Sequence, residues 1–420
     1  MGKVKIFLSY HKKTPLFKSE QFEPISVGNY SDDNIISDKT GVSISELNPY
    51  YCELTGQYWV LKNYIDNCEE EYIGFAHYRR LPDLMNIKDE DIPSIFGMKY
   101  SDSIDFFKKL NSANLYEYCK EYDAIYPCTC YMYKNTVNPA LRENEQVYNV
   151  YEHFKAEHNN NCLDILKIVI DKYYPEYSNS ISKVFKNEKS LFYNIYIMKK
   201  ELIRGYLTWL FDILEKIGDV VKEEEEFQDK YKRMAGFVAE TLTNVWLDYH
   251  ESLKTGHCPI FMIDFESELI EKANRYNAEG NYNSEITELE KLYELTSDKF
   301  NVLLATANAY INLDKKSEAE ITLKKAESFA KTSENFHTLA KSYIKNGISS
   351  PDNIIALFET AIKLSPDEKF YPKSLLLYTE KLHDINKTSI AWEYMKNFDM
   401  TETETEKYNQ FLKVVSMLKG

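Results

Sequence analysis

Residues 69–83 read EEEYIGFAHYRRLPD, and in them an apolar run from Tyr72 to Ala76 ends in His77, Tyr78, Arg79 and Arg80, with Pro82 just beyond. Arginine carries a permanent charge on a planar fork that binds phosphate through paired hydrogen bonds. Read as an extended strand, the segment sends Arg79 and Arg80 to opposite sides, one toward a ligand and one toward a neighbouring carboxylate. The alternative is that both arginines pair with local acids. A second polar group, Ser9, Tyr10 and His11, ends the apolar run that starts at Lys5. Ligands of open α/β sheets bind beyond the carboxyl ends of the strands. Both groups therefore belong at one rim, where their chemistry is the capture of a phosphate.

The elements that would position them alternate. Lys5–Tyr10, Tyr72–Ala76, Asp123–Pro127 and 191–198 read as strands. Between them lie helical patterns. One starts near Asn48, a candidate N-cap followed by Pro49, and buries Leu54, Tyr58, Leu61 and Ile65. Another puts Leu163, Leu166, Ile170 and Tyr173 on one face, and a third follows the strand at 191–198. The clearest repeats Met234, Phe237, Val238, Thr241, Leu242, Val245, Trp246 and Tyr249 over four turns. Four consecutive glutamates within 222–230 predict a solvated loop. Strands alternating with helices predict an α/β layer fold.

The pattern changes near residue 265, and the expected domains are 1–262 and 263–420. Beyond that point no strand is expected. Tyr276, Tyr310, Tyr343 and Tyr378 recur at intervals of 34, 33 and 35 residues, with Ala273, Ala307 and Ala340 in the same register. A period of this length in paired helices resembles tetratricopeptide repeats, which serve as binding surfaces.

Composition narrows the function. A net charge of −15 argues against nucleic acid as a partner. The N-terminal apolar run is too short for a signal peptide, and no stretch approaches a membrane span. Seven cysteines lack metal spacing and fit a reducing compartment. The 34 tyrosines and 22 phenylalanines would suit sugar platforms, but a coding bias explains them as well.

The blocks KIFLSYHK, ISELNPYYCELTGQYWVLKN, YIGFAHYRR, YDAIYP, LFYNIYIMKKELIRGYLTWLFDIL and RMAGFVAETLTNVWL occur in that order. Over residues 3–250 the chain thus resembles bacterial glycosyltransferases of capsule, exopolysaccharide and lipopolysaccharide clusters, the domain-of-unknown-function family 4422. The resemblance implies a GT-A-like, Rossmann-type fold and sugar transfer from a nucleotide sugar, most readily a UDP-sugar. It includes galactose and galactofuranose transferases, so a galactose-type donor leads. The acceptor would be a saccharide or a lipid-linked saccharide, met in the cytoplasm or peripherally at the inner face of the membrane.

A GT-A-type fold normally ends the strand at 72–76 in an Asp-x-Asp motif that holds a divalent metal. This chain has His77, Tyr78, Arg79 and Arg80 there, which implies that arginine charge replaces the metal. Asp32, Asp33 or Asp38 remain as alternative ligands for manganese or magnesium. Inverting transfer needs a carboxylate base. Glu240 is the candidate, flanked by Arg233, Gly236 and Asn244 at i−7, i−4 and i+4, with the glycine leaving room for substrate. His158 matches a family histidine, and Asp164 a nearby acid, as acceptor contacts. Glu46, Asn48 and Glu53 begin the first helix, where amides face the donor and carboxylates orient hydroxyls; capping is the competing role. Ser9, Tyr10, His11 and Asp38 complete the donor-side expectation. The competing function is a non-catalytic adaptor that works through its helical repeats. Nucleotide-dependent stabilisation separates the two.

Overall fold

A computed structural model describes residues 2–92, 94–133, 147–158, 160–222 and 230–419. The glutamate run falls outside the described residues. The chain forms two compact units, Met1–Phe265 and Glu266–Gly420.

The first unit contains β1 (Val4–Tyr10), β2 (Phe22–Ser26), β3 (Ile36–Ser37), β4 (Tyr72–His77), β5 (Arg80–Pro82), β6 (Ile95–Lys99), β7 (Ala124–Pro127), β8 (Cys130–Tyr131), β9 (Lys189–Ser190), β10 (Tyr196–Lys199), β11 (Thr255–Cys258) and β12 (Ile260–Asp264). The main sheet runs β3-β2-β1-β4-β10-β7-β11. Only β10 is antiparallel to its neighbours in that row. β12 continues through Asp264, past the boundary expected at 262. Apolar residues run almost unbroken through β1 and β4 because both faces are covered; Phe7, Leu8, Ile73 and Phe75 are all buried. Gly74 is required on β4, since a Cβ there would meet Ile197 of β10 at 2.5 Å.

Its helices are α1 (Asn48–Tyr51), α2 (Leu54–Asn63), α3 (Tyr100–Ser112), α4 (Leu115–Cys119), α5 (Val150–His158), α6 (Cys162–Tyr173), α7 (Ser178–Val184), α8 (Lys200–Val221) and α9 (Met234–Tyr249). Helices α2, α6, α8 and α9 bury Leu54, Leu166, Leu210 and Leu242 in one cluster with Phe7 and Phe75 of the sheet. At about 25 cal/mol per Å² of apolar surface removed from water, each such leucine contributes about 2 kcal/mol.

Four local expectations change. The helix begun at Asn48 is two helices, because Cys52 adopts φ 52° and stops the first. Asn48 is not an N-cap: it lies inside α1, and its amide donates forward to the Cys52 carbonyl at 2.7 Å. The strand expected at 191–198 begins only at Tyr196, because Tyr193 and Asn194 take φ 77° and 51°. Tyr173 and Tyr249, expected in the core, are exposed at the ends of their helices.

The second unit is helical throughout its described residues: α10 (Ser267–Ala278), α11 (Tyr282–Leu295), α12 (Lys299–Asn312), α13 (Lys316–Glu327), α14 (Ser333–Asn346), α15 (Pro351–Leu364), α16 (Phe370–Lys381), α17 (Ile385–Met395) and α18 (Glu402–Lys419). Side chains of Asn281, Asp298, Thr332, Ser350 and Asp384 cap five of them. Successive helices pack on one another. The periodic alanines 273, 307 and 340 are buried, and their small side chains permit close approach.

Candidate functional site

The chain runs outward from β1 to β2 and β3, then crosses back to pair β4 on the other side of β1. The sheet therefore has a switch point between β1 and β4, and sheets of this kind bind ligands in the crevice beyond the carboxyl ends of such strands. Register places Ser9 of β1 beside His77 of β4. The His11 and His77 rings lie 5.7 Å apart, and both touch the Tyr78 ring. Burial pushes the His77 imidazole well below its ordinary range, helped by the charges of Arg80 and Arg79. His11 keeps contact with solvent, yet crowding by protein, then Lys12, Arg79, Arg233 and Arg80, hold it down to about 4. Both rings are neutral at pH 7, in a rim of concentrated positive charge. The buried Nδ1 of His77 has no hydrogen-bond partner among the described residues.

The extended-strand reading of the two arginines is corrected here. The chain reverses at Tyr78 and Arg79, so Arg80 opens β5 opposite His77. β12 pairs with β5 and holds this return. Arg79 is exposed at the turn. Arg80 is half-buried, its guanidinium carbon 4.3 Å from the Tyr193 ring centroid, a cation–π contact. Its Nε is buried without a partner, and neither arginine lies in an ion pair among the described residues.

Tyr193 also joins the arginine to Glu240: its backbone amide donates to Glu240 Oε1 at 2.8 Å. Asn194 donates from one amide to Glu53 Oε1 at 2.7 Å and to the Gly236 carbonyl at 3.0 Å. The left-handed pair at 193–194 thereby ties the start of α2 to the middle of α9. Glu240 keeps some solvent contact but sits deep among protein atoms. Burial lifts its carboxyl to about 8, against the Tyr193 hydrogen bond; Glu53 adds to the rise, while Arg80 and Arg233 oppose it. Gly236 does not leave space for a ligand. The room is filled by Cys52, whose sulfur would lie 3.4 Å from an added Cβ.

Other expected residues serve the fold. Asp38 is fully buried, and its carboxylate accepts from Ser45 and Thr55 hydroxyls at 2.6 Å each and from the Gly28 amide at 3.2 Å. It organises the loops between β2 and α2 rather than facing a donor. The Tyr10 hydroxyl accepts from the Phe17 amide at 2.9 Å, inside the protein. Ser9 is buried, and its carbonyl receives the Tyr78 amide. Glu46 is exposed on the turn before α1. Asp164 accepts from Tyr151 at 2.6 Å and pairs with Lys155 at 3.3 Å, joining α5 to α6. His158 does reach the site's border: it stacks on Phe237 of α9 with centroids 3.9 Å apart. Sequence reasoning missed Tyr193 and Asn194, and it named Arg233 and Phe237 only as a flank and a core position.

A divalent metal, which the GT-A-type pattern implies, does not fit this donor set. No carboxylate stands at the tips of β1 and β4, Asp38 has its lone pairs engaged, and Asp32 accepts from Asn34 and Tyr30. No group of three His, Cys, Asp or Glu side chains suited to a metal exists among the described residues.

Among solved structures, the apo structure of WbbM, a bifunctional glycosyltransferase, is similar to this chain at 25% identity and a TM-score of 0.53, covering 63% of this chain and 46% of that one. The chain thus spans less than half the length of that relative. Two structures of MamA match at 17% and 18% identity with TM-scores of only 0.25 and 0.26. No curated protein matches the chain. The likeness to WbbM supports a glycosyltransferase-like protein whose mixed sheet fits a GT-A-like fold. The model of the family described as "Domain of unknown function (DUF4422)" matches residues 5–251, more than half of the sequence, and the chain belongs to that family.

Proposed function

We propose that the first unit is an inverting glycosyltransferase that takes a sugar, galactose-type first among candidates, from a UDP-sugar to a saccharide acceptor in cell-surface polysaccharide synthesis. One observation carries this reading: Arg80, in no ion pair among the described residues, stacks at the switch point on Tyr193, whose amide bonds Glu240, a largely buried carboxyl lifted to about 8. The acceptor oxygen attacks the anomeric carbon, and the bond from that carbon to the phosphate oxygen breaks. The electron pair leaves with UDP. Arg79 and Arg80 neutralise the departing diphosphate, and Glu240 takes the acceptor's proton. A base matched to the working pH is efficient in that role. Glu53, held by Asn194, orients a donor hydroxyl.

The test is a thermal shift with UDP, GDP and CDP, followed by a UDP-release screen of nucleotide sugars. UDP at 100 times its Kd should add about 2.7 kcal/mol. A chain that no nucleotide stabilises would be an adaptor, not this enzyme. Because arginine stands where a metal site would be, EDTA should leave turnover within twofold. Complete loss restored by manganese would overturn that part. For the second unit we propose a tetratricopeptide-like binding surface for a protein partner or a long acceptor. Truncation at Phe265 should preserve UDP binding and lower transfer to a polymer; loss of UDP binding would sink that division of labour.

A further inference from the structure

Helix α9 presents more than the proposed base to the crevice. Arg233, just before its first turn, and Phe237, Glu240 and Asn244 recur at intervals of four, three and four residues, the spacing of one helix face. Asn244 braces the loop beside the site, through Ser190 at 3.0 Å and the Leu191 amide at 3.1 Å. Phe237 carries the His158 ring stacked at 3.9 Å and 19°, and the Arg233 guanidinium carbon lies 4.9 Å from its centroid. Burial, then His153 and Arg233, hold His158 near 4, so the imidazole is a neutral hydrogen-bonding group beside an aromatic face.

Arg233 is exposed and belongs to no ion pair among the described residues. The group that acts on it most is the neighbouring Cys52 thiol, a weak acceptor. The fork is also set by the backbone: Arg233 takes φ 62°, with its amide bonded to the Pro49 carbonyl at 2.9 Å. Arg79 and Arg80 already match the donor's diphosphate, and Arg233, which feels Glu53 and Glu240 without pairing to either, keeps its exposed fork open to a further anion. The seven residues from Arg233 to Glu240 rise about 10 Å, roughly the length of a disaccharide. An anion bound at Arg233 would therefore sit about one sugar away from a hydroxyl held at Glu240.

Resting on the glycosyltransferase reading, we infer that the acceptor is anionic: a saccharide whose ring lies beside the stacked Phe237–His158 pair and whose carboxylate or phosphate ester is gripped by Arg233. Aromatic faces pack well against the C–H face of a sugar ring. The guanidinium fork suits either oxyanion.

The experiment uses the full chain saturated with UDP and titrated with methyl β-glucuronide, glucose 6-phosphate and methyl β-glucoside, read by saturation-transfer NMR. At least one anionic ligand should bind tenfold or more tightly than the neutral glucoside, and the pair of anions tells carboxylate from phosphate. In Arg233→Gln that advantage should fall below threefold. Should that variant fail to fold, Arg233→Lys must still reduce the advantage at least threefold, because an ammonium lacks the fork. Equal or undetectable binding of the three ligands overturns the inference, as does an anionic preference that the Arg233 variants retain. If UDP stabilises the chain but charge is not preferred, only the acceptor inference falls. If UDP does not stabilise it, the glycosyltransferase reading falls and takes this inference with it.

Discussion

Replacing Glu240 by glutamine should stabilise the first unit at alkaline pH and leave it unchanged at acidic pH. The carboxyl is lifted from 4.5 to about 8, chiefly by burial. The folded protein therefore keeps a proton that the unfolded chain releases near pH 4.5. Stability from this source is fully present below about 4.5 and lost as pH rises toward 8, with a slope of about 1.4 kcal/mol per pH unit. Over the whole interval the ceiling is about 5 kcal/mol; the remaining solvent contact and structure in the unfolded ensemble reduce it, and we expect about 2 kcal/mol. Glutamine is isosteric, still accepts from the Tyr193 amide, and does not titrate. Urea unfolding of wild type and Glu240→Gln at pH 5 and pH 8.5 measures the difference. Trp59, Trp209 and Trp246 lie in the first unit and only Trp392 in the second, so fluorescence follows mainly the unit in question. A stability difference that does not change with pH would show that Glu240 is ionised like a surface glutamate. The same shift predicts that transfer rises with pH toward about 8, since a base must first lose its proton; a rate that falls over that range would exclude it as the base.

Arg79→Ala and Arg80→Ala should each lower transfer at least 100-fold, about 2.7 kcal/mol of transition-state stabilisation, with the circular dichroism melt little changed; near-normal turnover in both would remove the clamp. Asp38→Asn should cost about 2–4 kcal/mol, because an amide cannot accept from Ser45, Thr55 and Gly28 as the carboxylate does, and a melting curve equal to wild type would contradict that. Asn194→Ala should be less stable than Asn194→Gly by about 1 kcal/mol, since both lose the bonds to Glu53 and Gly236 but only glycine takes φ 51° without strain; the reverse order in chemical denaturation would refute the argument.

Much of this arrangement is readable from sequence where the signal is local. β1 and β4 are short apolar runs, and polar clusters mark their ends, so the switch-point rim with His11, His77, Arg79 and Arg80 follows from pattern and a general rule of α/β sheets. Helix α9 shows its core face, and the position of Glu240 on the flank follows from helical spacing. What stays hidden depends on distant partners. Arg80 turns back because β12 pairs with β5, and nothing near Arg80 announces that strand. Asp38 looks like any loop carboxylate until Gly28, Ser45 and Thr55 converge on it. LFYNIYIM is rich in strand formers, which conceals the left-handed turn at its centre; Asn194, of a type that tolerates that conformation, was the one local warning.

That hidden turn bears directly on function. Six non-glycine residues adopt positive φ among the described residues: Cys52, Tyr193, Asn194, Arg233, Asp314 and His383. The first four are neighbours in the crevice, although they come from three separate segments of the chain. Each such residue costs about 1–2 kcal/mol, and the conformation persists only where surrounding bonds over-determine it. Here they do: the Tyr193 amide is fixed on Glu240, the Asn194 side chain on Glu53 and Gly236, and the Arg233 amide on Pro49. These bonds do not fill a core. They aim an aromatic ring under Arg80, hold two glutamates in place, and set a third arginine on the border of the same crevice. A fold under selection for stability alone would relax these positions to glycine or to ordinary backbone. Their concentration at the switch point is the expected signature of a site whose geometry matters more than its local strain.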